Sequence, residues 1–185
     1  VADWIAAEGR FPATMVDRIV PATKPEDLAR VTAATGKVDA APVIDGSTVY
    51  VSSYKDQTLA IDGPSGRPLW ARDHGGAGQL AVTSGAVLLA DGKGVVWALD
   101  KYSGAALWSQ PALARRELTG TAVFADYAVV GDLEGYVLLL RLSDGEFAGR
   151  IKHSGERLLA APRLANGVLL VQDVDGKLAA YGLRQ

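Results

Sequence analysis

The chain repeats itself, and a repeat of this period leaves few folds open. From Asp39 to Trp70 it reads DAAPVIDGSTVYVSSYKDQTLAIDGPSGRPLW, and from Gln79 to Trp108 it reads QLAVTSGAVLLADGKGVVWALDKYSGAALW. Both copies share one grammar. A short apolar strand, a small turn, a second apolar strand and an Asp/Gly-rich turn lead to a third strand ending in Ala-Ile/Leu-Asp, then Ser-Gly-x-x-Leu-Trp. A third copy, TAVFADYAVVGDLEGYVLLLRLSDGEFAG, keeps Gly145 in the place of Gly66 and Gly104, with Ala148 read in the place of Trp70 and Trp108. A fourth, AAPRLANGVLLVQDVDGKLAAYGLRQ, carries three recognisable strands. The glycines lie 38 and then 41 residues apart, a spacing that fits one four-stranded antiparallel sheet per repeat.

Solenoids of paired helices have similar periods, but the apolar segments VYVSS, AVLLA, YAVVG and VLLVQ are short, rich in β-branched residues and punctuated by Gly and Asp. No long face of period 3.6 is present. Asp45-Gly46, Asp91-Gly92, Asn166-Gly167 and Asp175-Gly176 are read as supplying the left-handed positions of tight hairpins. One small sheet cannot bury its own apolar faces, so Trp70 and Trp108 are expected to act as wedges between neighbouring sheets, with Gly66, Gly104 and Gly145 as inter-blade structural positions. Trp97, on a third strand, reads as core.

At 185 residues the chain is long enough to bury a real core. Its 49% hydrophobic and 22% charged residues, with a net charge of −2, are those of a globular protein without the basic excess that nucleic acid demands. It has no cysteine, which excludes disulfides, thiolate metal sites and thiol catalysis on these residues. No apolar run reaches the length of a membrane span, and the first residues lack the pattern of a signal peptide.

Motifs that carry chemistry elsewhere are weak here. Gly76-Ala77-Gly78-Gln79-Leu80-Ala81 fits a dinucleotide-binding pattern, yet it precedes a strand, so no helix N-terminus would face a pyrophosphate. Asp173-Val174-Asp175-Gly176 hints at a calcium loop but lacks the further carboxylates, and reads as a hairpin turn. Arg115, Arg116 and Glu117 form the one dense charge cluster of the repeats, either solvated surface or a partner-facing loop. No cofactor and no metal is expected.

The Ala-Ile/Leu-Asp…Ser-Gly-x-x-Leu-Trp pattern resembles the quinoprotein-type (PQQ-like) propeller repeat. More narrowly, VDAAPVIDGSTVY, TLAIDGPSGRPLW, ALWSQPALARRELTGTAVFADYAVVGDLEGYVLLL and LLVQDVDGKLAAYGLRQ resemble the last four blades of the BamB family. The resemblance implies a half-ring from an eight-bladed propeller without chemistry of its own, which docks on the periplasmic domains of the barrel-inserting protein BamA at the outer membrane. One contact region of that family reads Asp-x-Asp; Asp39 matches its second aspartate and Lys37 stands in place of the first.

Residues 1 to about 36 do not repeat. FPATMVDRIVPAT at 11–23 and PEDLARVTAATG beyond it resemble the long-chain mannitol dehydrogenase and fructuronate reductase family. The string VDAAPV suits both patterns, so a chimera joined near 36–43 is inferred, with a divergent natural extension as the rival. That family's Lys-x4-Asn-x2-His cluster is missing: the histidines are His74 and His153, preceded three residues earlier by Ala71 and Arg150. Asp17 matches a signature aspartate but has none of its partners.

The expected fold is all-β: a partial, four-bladed propeller spanning residues 38–185, with blades at about 38–76, 77–115, 116–155 and 156–185, after a non-propeller segment 1–37. The open ends raise three expectations: TMVDRIV filling the outer slot of the last sheet, two copies pairing as a homodimer, or a monomeric open arc. The expected function is a non-catalytic protein-interaction scaffold with Asp39, Arg115 and Arg116 as candidate partner contacts. The alternatives are a relic polyol dehydrogenase or quinoprotein, or a chain assembled as a fold test. Family resemblance implies the periplasmic face of the outer membrane; the residues as given, without leader or lipoprotein cysteine, imply the cytoplasm.

Overall fold

Short apolar runs, broken every five or six positions by a turn, give short antiparallel strands in a computed structural model that describes residues 40–53 and 57–183. The segment 1–37, with Asp17 and TMVDRIV, lies outside the described residues, as do Val38 and Asp39. Strands β1 (Val43–Asp45), β2 (Thr48–Ser53), β3 (Gln57–Asp62) and β4 (Pro68–Arg72) form the first sheet. The second contains β5 (Ala81–Val82), β6 (Ala86–Ala90), β7 (Val96–Asp100) and β8 (Ala106–Gln110). A 3-10 turn at Pro111–Leu113 leads to β9 (Ala122–Phe124), β10 (Tyr127–Gly131), β11 (Tyr136–Arg141) and β12 (Phe147–Lys152). Among the described residues the last sheet has three strands, β13 (Arg163–Ala165), β14 (Val168–Gln172) and β15 (Leu178–Tyr181). Every sheet is a meander in chain order, and successive sheets approach most closely through their first strands, β1 by β5, β5 by β9 and β9 by β13. The arrangement is a partial β-propeller, with first strands innermost and fourth strands outermost.

Because side chains alternate across a strand, each middle sheet is apolar on both faces and fills two cores. Val87, Leu89 and Leu99 of the second sheet pack with Tyr50, Ala60 and Trp70 of the first. Its other face, Leu88, Ala90, Val96 and Ala98, packs with Ala128, Val130, Leu138 and Leu140 of the third. Val129, Val137 and Leu139 turn the other way, onto Leu158, Leu169 and Val171. At the far end the rule runs out: by register Leu170, Leu178 and Ala180 point away from the third sheet, and Leu178 is 64% exposed.

Two sequence readings change. The hairpin at Asp91 takes its left-handed residue at Gly94 (φ 80°) and not at Gly92, because the turn is longer than a two-residue hairpin. In the third sheet the counterpart of the tryptophans is Gly149, not Ala148. Each third–fourth strand pair carries a β-bulge, and the bulged residue is Leu69, Leu107 or Ala148; Gly149 pairs with Leu139 as Trp70 pairs with Ala60 and Trp108 with Ala98.

Candidate functional site

The seams between sheets collect most of the residues singled out in the sequence. At the first seam the Trp70 indole lies on the turn between β7 and β8: its Nε1 donates to the Lys101 carbonyl at 2.9 Å, and a Cβ on Gly104 would stand 2.7 Å from the ring. Gly104 has φ 71°, so the turn needs glycine both for its backbone and for the space the indole takes. Arg72, two residues on, donates from Nε to the Gly104 carbonyl at 3.0 Å. The second seam repeats the device. Trp108 donates to the Leu142 carbonyl at 2.8 Å, its ring covers Gly145 (φ 76°), and Gln110 donates to the Gly145 carbonyl at 3.0 Å. Gly66 occupies the same turn of the first sheet with φ 68°.

Those turns are closed by a side-chain pair whose chemistry changes along the chain. Asp62 accepts from Ser65 and Asp100 accepts from Ser103, while in the third sheet Arg141 donates to Asp144 at 2.9 Å. The Ser103 hydroxyl and N–H hold the Asp100 carboxyl below the ordinary aspartate range, and the Arg141 hydrogen bond does the same for Asp144.

Among the described residues the third seam has no indole latch, since Gly149 stands at the tryptophan position. Here the fastening moves to the opposite rim, where buried His153 meets the Tyr181 hydroxyl with Nδ1 at 2.9 Å and the Lys177 carbonyl with Nε2 at 3.0 Å. Lys177 Nζ donates back to the His153 carbonyl at 2.9 Å.

That opposite rim is built on three aspartates at one repeat position, whose common role the sequence reading missed. Asp91 accepts from the N–H groups of Lys93 and Val95, Asp132 from those of Glu134 and Tyr136, and Asp173 from those of Asp175 and Lys177. The second oxygen takes a different partner each time: the Trp97 indole for Asp91 at 2.9 Å, and the Arg116 guanidinium for Asp132 at 2.7 Å. For Asp173 it lies 3.8 Å from His153 Nε2. The available signal was the spacing of these aspartates, 41 residues in both steps.

Arg115 and Arg116 are therefore unlike. Arg116 is half-buried and tied to Asp132, whose side chain is fully buried, and to Glu134 at 3.1 Å; the Asp132 hydrogen bond raises its already high pKa. Arg115 is exposed, in left-handed backbone (φ 70°), and lines a cleft of about 490 Å³ with Lys93, Gly94 and Glu117. The Gly76–Gly78 stretch packs backbone to backbone, Gly78 against Gly120, and runs into β5 with no helix after it.

Stacked antiparallel sheets locked by tryptophan-on-glycine seams define a propeller-repeat scaffold. A family model described as outer membrane protein assembly factor BamB matches residues 20–110 and 92–184, so the chain belongs to the BamB family. The BamB of Xanthomonas campestris is 58% identical over 148 residues, covering 80% of this chain and 36% of that protein. The crystal structure of BamB from Moraxella catarrhalis superposes with a TM-score of 0.75 at 25% identity, covering 80% of this chain and 45% of that one. The computationally designed Ika4 protein shares the fold alone: TM-score 0.68, 15% identity, 80% of this chain and 91% of that one. The chain thus spans less than half the length of the BamB proteins it matches.

Proposed function

We propose that the chain is a non-catalytic protein-interaction scaffold of outer-membrane protein assembly, acting at the periplasmic face of that membrane and docking on a BamA-like envelope protein. The observation that carries this reading is how the polar side chains of the described blades are used. Asp91, Asp132, Asp173, Arg116 and His153 are each spent on closing a turn or joining two sheets, which leaves rims and loops, not a reaction centre, as the working surface. Membership of the BamB family supports the same conclusion. Asp39 and exposed Arg115 are the proposed contacts; Arg116 serves the fold first. No helix among the described residues is long and apolar enough to cross a membrane.

Segment 1–37 is proposed to be a dehydrogenase-derived piece without its chemistry. The exposed far face of the last sheet, with Leu178 and Ala180, supports pairing of two copies as a further property of the scaffold. Interferometry against the periplasmic domains of Xanthomonas BamA tests the main reading. Binding in the micromolar range that weakens on Asp39→Ala or Arg115→Ala supports it; no binding, or reduction of a nicotinamide cofactor by the chain with mannitol, refutes it. Light scattering at micromolar concentration tests the pairing, which a strictly monomeric mass would exclude.

A further inference from the structure

Position for position, the outer groove beside the connector differs between the first and second seams. Trp97 and Leu138 each lie six residues after the turn aspartate and point toward the preceding sheet. At the first seam Trp97 is covered by His74, stacked at 3.8 Å and 18°, and the space left is about 200 Å³. At the second seam Leu138 is smaller, the connector supplies Ala112 and Leu113, and a groove of about 450 Å³ stands open. Its floor is buried Leu113 and Leu138; its wall is Phe147, 45% exposed.

The chemistry of the groove's rim is one-sided. The Tyr136 ring has three cations about it: Lys152 Nζ at 4.1 Å, the Arg150 guanidinium at 5.6 Å and that of Arg116 at 5.8 Å. Arg116 is neutralised by Asp132 and Glu134, whereas Arg150 and Lys152 have no carboxylate partner among the described residues. The outer edge of β12, six residues long, pairs with no strand among the described residues, and at its centre Gly149 has open space where a side chain would begin. A free edge offers its N–H and C=O groups to an extended chain on either side of the bulge at Ala148; Lys152 is held by the Glu134 carbonyl, which leaves Arg150 as the cation, without a carboxylate partner among the described residues, that favours acid.

We propose that this groove docks an extended acidic peptide segment, laid along the edge of β12 with an apolar side chain over Leu113 and Leu138 and a carboxylate on Arg150. Backbone pairing supplies affinity, while the apolar floor and the guanidinium supply specificity. Arg115 lines a different cleft, so this site is tested independently of binding to a BamA-like protein.

The test is a fluorescence-anisotropy titration of the full chain with a fluorescein-labelled peptide, Ser-Thr-Val-Phe-Val-Glu-Thr-Ser, beside the same peptide with Lys in place of Glu. The acidic peptide should bind, and the lysine version should bind about tenfold more weakly, the factor that one charge-assisted pair is worth. Arg150→Glu should weaken the acidic peptide by a similar factor, about tenfold, with the wild-type melting curve retained. Phe147→Ser should also weaken it, and Leu178→Ser, on the open face of the last sheet, should leave it unchanged. Equal binding of both peptides, no binding up to millimolar concentration, unaltered binding in both groove variants, or loss in Leu178→Ser alone would each overturn the proposal.

Discussion

The first two seams and the third bury similar apolar faces but are fastened by different means. In the former pair an indole from an outer strand reaches across to a glycine turn, and a second long side chain, Arg72 or Gln110, follows it onto the carbonyl of that glycine. In the third, Gly149 and Ile151 stand where the indole and its follower would be, and His153 joins the sheets from the other rim. A repeated sheet thus specifies the apolar filling of a seam without specifying its latch. The filling depends on period-two alternation within one repeat; the latch depends on a residue in one repeat meeting a turn in the next.

The widest separation between the two kinds of seam is expected at their glycines. Gly145→Val places a branched side chain in left-handed backbone under the Trp108 ring and should destabilise the fold by about 3–5 kcal/mol, strain and overpacking together. Gly149→Ala, where a Cβ meets nothing within 4 Å, should stay within about 0.5 kcal/mol of wild type. Urea unfolding of the two variants measures the contrast, and equal losses would refute the role given to the indole.

Next in size is the contrast between adjacent arginines. Arg116→Ala strands the buried Asp132 carboxylate and should cost about 3 kcal/mol, whereas Arg115→Ala should cost less than about 0.5 kcal/mol. Thermal denaturation of both reads the difference, and a destabilised Arg115 variant would mean that its left-handed backbone is held by its side chain.

His153→Ala removes the third seam's fastening and leaves the Lys177 carbonyl and Tyr181 hydroxyl without their partner. A loss of about 1–3 kcal/mol is expected in the same unfolding assay, confined by hydrogen exchange to β13–β15. Loss of protection spreading to β5–β8 would show that the seams are not independent.

The smallest effect is in acid. Asp100 and Asp144 have folded pKa values below their unfolded ones, so each carboxylate stabilises the native chain above about pH 4 and loses that contribution as pH falls through the folded value. Asp144→Asn should flatten this part of the stability profile below about pH 4, with no change near neutrality in its slope. An unaltered acid limb would show that the Arg141 pairing does not persist in solution.

Much of this was legible in the letters. The copies ending in Trp70 and Trp108 display strand, turn and glycine in a fixed order, and each feature acts over a few residues, so the sheets could be read from local rules. Arg115 and Arg116 could not be told apart, because what separates them is Asp132, sixteen residues past Arg116 and on another turn. The place of the tryptophans in the third copy was legible as well: Trp70 and Trp108 each lie four residues after the turn glycine, so the counterpart after Gly145 is Gly149 and not Ala148, and its pairing with Leu139 agrees. The groove beside β12 left no mark at all, being the space that Leu138 does not fill and Trp97, one repeat earlier, does.

By itself the sequence determined a stack of small antiparallel sheets apolar on both faces, since alternation, turn glycines and period are properties of neighbours along the chain. Tertiary structure decided which tryptophan lies on which glycine, which arginine is structural, and which seam stays open to a ligand. Those outcomes depend on distances between residues in different repeats, and such distances exist only once the sheets have stacked.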